Sequence, residues 1–252
     1  MIKFFRNIRY DLMQNNKMGK YFKYAIGEIV LVVIGILIAL QINNLNNKTI
    51  ESEREIKYLK SIKIDLKKDI QSLDVNIAFR QKKSLGIEEI IKQINGQPIQ
   101  DLDKAAINVV STLYQENFRP SNVTYYDLVS SGNMNLISDD SIKMYLFDLS
   151  LLYQSNAYNN EHETSEYAEN VSKSIFDLID LERLMPVFDG VKTAEQLQLS
   201  AADFRALFES QKYKNGCVVL KWTSGEFVKI YEFIKVKSLR LIELIDLKLE
   251  NE

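Results

Sequence analysis

The chain has a single histidine, His162, in an acidic stretch whose residue types could support metal or acid–base chemistry. Residues 161–166 read EHETSE, which begins with the His-Glu pair found at the start of the metal-binding helix of zinc proteases. Such a helix needs a second histidine four residues further on, and the chain has none. The sequence therefore excludes this kind of zinc hydrolase. It favours an exposed polar helix segment over weak binding of a divalent cation by the clustered acids, and we expect no metal site and no cofactor.

A second candidate site is the densest group of hydrogen-bonding side chains after residue 50. The group consists of Tyr125, Tyr126, Asp127, Ser130, Ser131 and Asn133. Catalysis by either serine is not expected, because no histidine is available as its base. A local role is favoured, in which Thr124 and Asp127 cap a helix, Gly132 or Asn133 ends it in a left-handed conformation, and the tyrosines pack in the core. The alternative is a small-ligand pocket or a partner-contact loop, for which these residues are the candidate contacts.

Composition excludes other kinds of site and favours helices. The one cysteine, Cys217, rules out an internal disulfide and a cysteine-rich metal cluster. We interpret it as a small buried residue, with an intermolecular disulfide as the alternative. A net charge of -2 gives no reason to expect a nucleic-acid surface. Only 9 glycines and 3 prolines in 252 residues leave little material for the turns of a β-rich fold, so we predict a mostly helical protein.

An apolar segment near the N-terminus determines where the rest of the chain lies relative to a membrane. Residues 24–42 read YAIGEIVLVVIGILIALQI and would span about 28 Å as a helix, close to the hydrocarbon thickness of a bilayer. A buried core helix would show a polar face, and a cleaved signal peptide would be followed by a small-x-small site; neither is present. We predict an uncleaved transmembrane signal anchor. Glu28 is its intramembrane polar residue, and Gly35 with Ala39 forms a small-xxx-small step for helix packing in the membrane.

Flanking charges predict the orientation of this anchor. Six basic side chains against one acid precede it: Lys3, Arg6, Arg9, Lys17, Lys20 and Lys23, with Asp11 as the acid. A neutral, asparagine-rich stretch follows it, so the N-terminus should stay in the cytoplasm. Apolar residues at helical spacing in the first dozen residues predict a short amphipathic helix on the inner leaflet. The predicted parts are a basic cytoplasmic segment 1–23, the anchor 24–42 and a helical outer domain 43–252.

Within the outer domain, residues 50–95 carry an apolar stripe in steps of three or four and predict a long stalk helix. The stripe is Ile56, Leu59, Ile62, Leu66, Ile70, Leu73 and Ile77. The sequence Asn-Gly-Gln-Pro at 95–98 should end the helix. Together with the step at Gly35 and Ala39, this stripe predicts a homodimer with a coiled-coil stalk.

Shorter periodic segments predict the remaining helices. The first two are a helix at 103–116 and a helix from Thr124 to about Ser131. A long helix is capped near Ser138, and its apolar stripe runs from Ile142 to Tyr153 and resumes at Ala168. Two short helices capped by Thr193 and Ser200 follow, and a last helix begins near Asn215 or Ser224. The gap in the stripe at 154–166 is a solvated face, a break or the wall of a polar cavity. Such helices bury their stripes by packing side by side, so the predicted fold is all-α, an antiparallel helical bundle.

Two passages carry a family resemblance. GKYFKYAIGEIVLVVIGILIALQINN at 19–44 and TYYDLVSSGNMNLISDDSIKMYL at 124–146 resemble a large family of uncharacterised single-pass membrane proteins from Bacteroidetes. The resemblance implies a Gram-negative inner membrane and a helical periplasmic domain, and it implies no activity. A tryptophan typical of the family shortly after the anchor is Leu45 here, so that tryptophan is not essential.

Two hypotheses for function follow. The first is a membrane-anchored periplasmic scaffold, accessory subunit or sensor, without catalysis, which binds a membrane or periplasmic protein or a small ligand. The second is an enzyme with a carboxylate-lined pocket among the helices. A deep pocket with two close acids would favour the enzyme, and a solid apolar core would exclude it.

Overall fold

A computed structural model describes Tyr10 and residues 18–251, and the described residues are helical with no strand. The prediction of an all-α chain is confirmed. The chain forms two compact units, Met1–Lys57 and Tyr58–Glu252. The predicted amphipathic helix of the first dozen residues lies outside the described residues, apart from Tyr10.

The first unit contains the apolar segment, which is part of helix α1, Met18–Ile94. Among the described residues this is the one helix long and apolar enough to cross a membrane, and none of its apolar window is buried in the protein. Large side chains such as Ile29 and Ile36 are more than half exposed. Nothing lies within 4 Å of a Cβ added at Gly35, so this face of the helix has room for close contact with another helix.

In the described part of the second unit, seven further helices follow. They are α2, Leu102–Ser111; α3, Val123–Ser130; α4, Asp140–Tyr167; α5, Lys173–Leu178; α6, Leu181–Phe188; α7, Ala202–Glu209; and α8, Gln211–Glu250. A short 3₁₀ helix, Asn133–Leu136, precedes α4, and a π-helical turn, Ala168–Ser172, joins α4 to α5. The predicted stop of α1 is confirmed, because the helix ends at Ile94 and Gly96 adopts a φ of 101°.

Residues 58–94 of α1 pack antiparallel to α8. Lys63 pairs with Asp246, Lys235 with Asp74 and Lys221 with Glu88, so residue numbers rise along one helix as they fall along the other. The apolar stripe of α1 enters a core formed with α3, α4 and α8; Leu59, Leu73, Ile142, Tyr231 and Ile245 are among its fully buried members. The chain itself therefore covers the part of the predicted coiled-coil stripe from Leu59 to Leu73, and these side chains are not free to form a seam between two copies.

A second core lies at the other end of this unit. It joins the last turns of α1 to α2, α5, α6, α7 and the first half of α8, with Ile90, Val109, Ile175, Phe204 and Tyr213 all buried. Cys217 is fully buried here, and burial raises the pKa of its thiol to about 12. A protonated, inaccessible thiol cannot take part in an intermolecular disulfide, so the interpretation of Cys217 as a small buried residue is confirmed.

An irregular segment, 112–122, crosses the long helices, and its backbone carbonyls and amides form hydrogen bonds with buried side chains of these helices. Lys83 Nζ donates to the carbonyl of Tyr114 at 2.7 Å, and Asn156 Nδ2 donates to that of Phe118 at 3.1 Å. The amide of Ser121 donates to Asp69 Oδ1 at 2.6 Å. The predicted helix 103–116 is therefore wrong at its C-terminal end: α2 stops at Ser111 because the residues that follow find polar partners on other helices.

Several predicted helix starts also differ from the structure. The residues after Thr193 form a turn rather than a helix, and α7 is capped by Ala201 rather than Ser200. No capping box forms at Thr124, whose hydroxyl donates instead to Asp65 at 2.6 Å while the side chain of Asp127 accepts from Tyr58. Helix α4 is capped by Asp139 rather than Ser138. Helix α8 begins at Gln211 with Ser210 as its cap, well before the predicted start. Gly216 therefore lies inside the helix, where it has a packing role described below.

Candidate functional site

A groove of about 490 Å³ opens between α4 with its π-helical turn and the first half of α8. Tyr158 and His162 line it from α4, and Trp222, Phe227 and Ile230 line it from α8. Its volume lies in the range of sites that enclose small organic ligands. Trp222 is the only tryptophan in the chain and His162 the only histidine, so both are natural reporters of this site.

The gap in the α4 stripe at 154–166 builds one wall of this groove. The helix continues through the whole stretch, which excludes a break there. Asn156 and Glu163 are buried, while Tyr158, His162 and Glu166 line the groove. Five of the thirteen residues line the groove and most of the others are exposed, so the stretch is partly the wall of a cavity and partly a solvated face.

A close approach between α8 and the π-helical turn forms one end of the groove. A Cβ at Gly216 would lie 2.6 Å from Val171 Cγ2 and 3.2 Å from the backbone oxygen of Asn170. Both distances are shorter than ordinary carbon contacts, so only glycine lets α8 lie this near the turn. The π-helical turn inserts an extra residue per turn, which shifts Asn170 and Val171 against α8, and such turns are frequent at functional sites.

Glu163 of the groove lining belongs to a buried ion pair. Arg80 of α1 donates to both carboxylate oxygens of Glu163, at 2.5 and 2.8 Å, and both side chains are 3% exposed. The guanidinium also donates to Asn117 Oδ1 at 2.8 Å and lies 4.1 Å from the ring centroid of Phe227. The hydroxyl of Thr223 donates to Glu163 at 3.2 Å. Both oxygens of this carboxylate are thus occupied by a permanent cation.

Lys83 lies one turn further along α1 and is also buried. Its ammonium donates to Tyr114 O and lies 5.7 Å from the ring centroid of Tyr167. Burial lowers the pKa of Lys83 to about 8, although the nearby Glu163 carboxylate raises it in part. The burial of Arg80 and Lys83 could not be predicted from the sequence, because charged side chains normally lie at the protein surface.

Two further carboxylates, of Glu166 and Glu226, lie at the rim of the groove. Glu166 Oε2 accepts from Asn170 Nδ2 at 3.0 Å, and Glu226 pairs with the exposed Lys229 at 2.8 Å. Among the described residues that line the groove there are three glutamates and no lysine or arginine. The rim is therefore acidic, while the surface beneath it is mainly aromatic and aliphatic.

The sequence-predicted cluster at 125–133 lies elsewhere in the second unit, at α3 and the 3₁₀ helix. Asp127 Oδ2 accepts from the hydroxyl of Tyr58 at 2.8 Å, and Asn133 Nδ2 donates to that same hydroxyl at 3.1 Å. The hydroxyls of Ser130 and Ser131 both donate to the carbonyl of Asp127. These bonds tie α3 to α1. Gly132 ends α3 with a φ of 69°, which confirms the predicted left-handed helix end.

Little ligand space adjoins that cluster. Tyr126 is 56% exposed, and Tyr125 borders a cavity of about 30 Å³, which has room for about one water molecule. The structure thus places the predicted contact residues in a hydrogen-bonded joint, and it places the larger cavity on α4 and α8. In the sequence, only the gap at 154–166 pointed to that cavity.

Comparison with known families gives one match. A model of a family described as "Family of unknown function (DUF6090)" matches residues 28–185, more than half of the chain. The chain belongs to the DUF6090 family. The predicted membership of a family without an assigned activity is thereby confirmed.

The DUF6090 match begins at Glu28, inside the apolar segment, and ends within α6. The α4 wall of the groove therefore lies inside the match, and the α8 wall lies beyond it. No characterised protein and no solved structure matches the chain.

Proposed function

We propose that this DUF6090 protein is a membrane-anchored protein whose helical bundle binds a small ligand in the groove between α4 and α8, without catalysis. The anchor holds it in the inner membrane of a Gram-negative bacterium, with the N-terminus in the cytoplasm and the bundle in the periplasm. The observation that carries the ligand-binding role is the groove itself, about 490 Å³ with exposed aromatic side chains at its mouth.

The apolar segment supports the anchor. Its large side chains are exposed along the whole stretch from Ile26 to Ile42, an area of apolar surface that a soluble protein does not leave in water. A bilayer covers such a surface, and a helix satisfies its own backbone there. The family match begins within this segment, which supports a role shared by relatives.

The groove's carboxylates favour binding over catalysis. Glu163 is held by Arg80 at both oxygens, so the close pair of free acids that the enzyme hypothesis needs is missing one member. The hydroxyls of Ser130 and Ser131 are bonded to a backbone carbonyl at α3, away from the groove residues. Among the described residues no group of three His, Cys, Asp or Glu side chains could hold a metal ion.

Topology is tested by alkaline phosphatase, which is active only outside the cytoplasm, fused after Glu252. The basic residues before the span should hold the N-terminus inside, so we expect a high phosphatase activity. A green fluorescent protein at the same place, exported unfolded, should stay dark. A bright fluorescent fusion with an inactive phosphatase would place the bundle in the cytoplasm and overturn this part of the proposal.

Ligand binding is tested with the full chain in maltoside micelles, using the emission of Trp222. The low-molecular-mass fraction of an envelope extract should change this emission in a saturable way. Val219→Phe should abolish the change, because Val219 lines the groove and a phenyl ring would occupy its space. Val218→Phe is the matched control, since Val218 is half exposed and outside the groove lining. Equal responses from both variants would contradict binding in the groove.

A further inference from the structure

Two large aromatic side chains stand at the mouth of the groove with most of their surface in water. Trp222 is 67% exposed and Tyr158 is 69% exposed. An aromatic ring presents a negative face, which attracts cations most strongly when the ring is that of tryptophan. The groove therefore offers π surface to an incoming ligand.

The charges around these rings have one dominant sign. Glu166 lies two turns beyond Tyr158 and one turn beyond His162 on α4, and Glu226 lies one turn after Trp222 on α8, so each wall of the groove carries one carboxylate besides Glu163. Glu163 is neutralised by Arg80 and does not add to this field. The other basic groups nearby are His162 in the lining, the buried Lys83 at 5.7 Å from the ring centroid of Tyr167, and Lys229, which pairs with Glu226 through side chains that are 72% and 44% exposed. Such an exposed pair is weak, so a ligand cation can replace the lysine.

Beneath the rim the lining is apolar. Val219, Phe227 and Ile230 supply carbon surface from α8, and Val171 supplies it from the π-helical turn. An ion without an apolar body would leave this surface uncovered. A neutral apolar molecule would leave the two rim carboxylates without a counter-charge.

We propose that the groove binds a small organic cation, an amine or quaternary ammonium with an apolar body. The cationic head lies between the Trp222 face and the carboxylates of Glu166 and Glu226, and the apolar body lies on Phe227 and Ile230. This inference rests on the proposed function of the groove as a ligand site. The groove's size commits it to a free small molecule rather than to a helix of a partner protein.

The test uses two probes of the same shape, choline and 3,3-dimethylbutan-1-ol, in which a carbon replaces the charged nitrogen. Each is titrated against the full chain in maltoside micelles, with Trp222 emission as the readout. Choline should bind about tenfold more tightly than the alcohol, because only the cation gains from the ring and the carboxylates. Trp222 cannot report on its own removal, so isothermal calorimetry measures Trp222→Leu, which should weaken choline about tenfold and leave the alcohol nearly unchanged.

Glu166→Gln and Glu226→Gln should each weaken choline up to about fivefold, since each removes one partly exposed charge. Glu161→Gln and Glu232→Gln are the matched controls on the same two helices, with exposed side chains outside the lining, and should bind choline like the wild type. Equal affinity for the two probes would overturn the cation inference and leave the groove a ligand site. If neither probe bound but the envelope extract still changed Trp222 emission, the cation inference would also be wrong, and the groove would remain a ligand site. If the extract also left Trp222 emission unchanged, the proposed ligand-binding function would be wrong as well.

Discussion

Replacing Arg80 with methionine is expected to lower the free energy of unfolding of the Tyr58–Glu252 unit by about 3–5 kcal/mol. The substitution leaves the Glu163 carboxylate buried without its counter-ion, and it removes the donor to Asn117. An uncompensated charge in the interior costs several kcal/mol of solvation. Urea unfolding of the full chain, followed by the emission of Trp222, measures the effect because this residue lies in the same unit.

Lys92→Met is the control for this experiment. Lys92 also pairs with glutamates, at 2.9 Å from Glu89 and 3.4 Å from Glu88, but its side chain is 44% exposed. Its loss should leave the free energy of unfolding nearly unchanged, because an exposed ion pair contributes little. The double variant with methionine at Arg80 and at Glu163 should recover most of the lost stability, because no unpaired charge remains. An Arg80→Met protein as stable as Lys92→Met would show that the buried pair does not hold the helices together.

Alanine at two glycines of α8 should have effects of opposite sign. Gly216→Ala is expected to lower the free energy of unfolding by about 1–3 kcal/mol, because its Cβ would overlap Val171 and press on the backbone of Asn170. Gly225→Ala should raise it by up to about 1 kcal/mol, because nothing lies within 4 Å of the new Cβ and alanine is the better helix former. Thermal unfolding followed by circular dichroism, with Trp222 emission as a second probe, measures both.

Val171→Ala tests the cause of the Gly216 effect. It removes the side chain that a Cβ at Gly216 would meet at 2.6 Å but leaves the backbone contact at 3.2 Å. In the Gly216→Ala background it should therefore restore part of the stability. A stabilising Gly216→Ala, equal to Gly225→Ala, would mean that α8 does not need to approach the π-helical turn so closely.

Local signals in the sequence predicted much of the fold. The stop of α1 at Asn95-Gly96, the left-handed Gly132 and the apolar stripe of α1 each follow from backbone freedom or helical spacing within a few residues. What covers that stripe could not be predicted, because the apolar residues of a coiled-coil seam and those of a stripe buried within one chain have the same spacing. Only the three-dimensional packing shows that α3, α4 and α8 cover it.

The groove could be predicted only in part. The polar gap at 154–166 indicated an unusual helix face, but its opposite wall is about sixty residues away in sequence. The sequence predicts that the last helix begins near Asn215 or Ser224, and nothing local in it shows that Gly216 lies inside this helix against Val171. Arg80, Lys83 and Asp69 look like solvated positions of a stalk. Their burial depends on segment 112–122, whose carbonyls and amides they bind.

The antiparallel pairing of α1 with α8 also sets the order in which the chain can fold. The partners Lys63 and Asp246 are 183 residues apart, so the apolar stripe of α1 is synthesised long before the helix that covers it. The stripe stays uncovered until most of the chain has been synthesised, and the contacts that cover it close a long loop at an entropic cost. Truncation before α8 should therefore yield an aggregating fragment rather than a smaller folded domain.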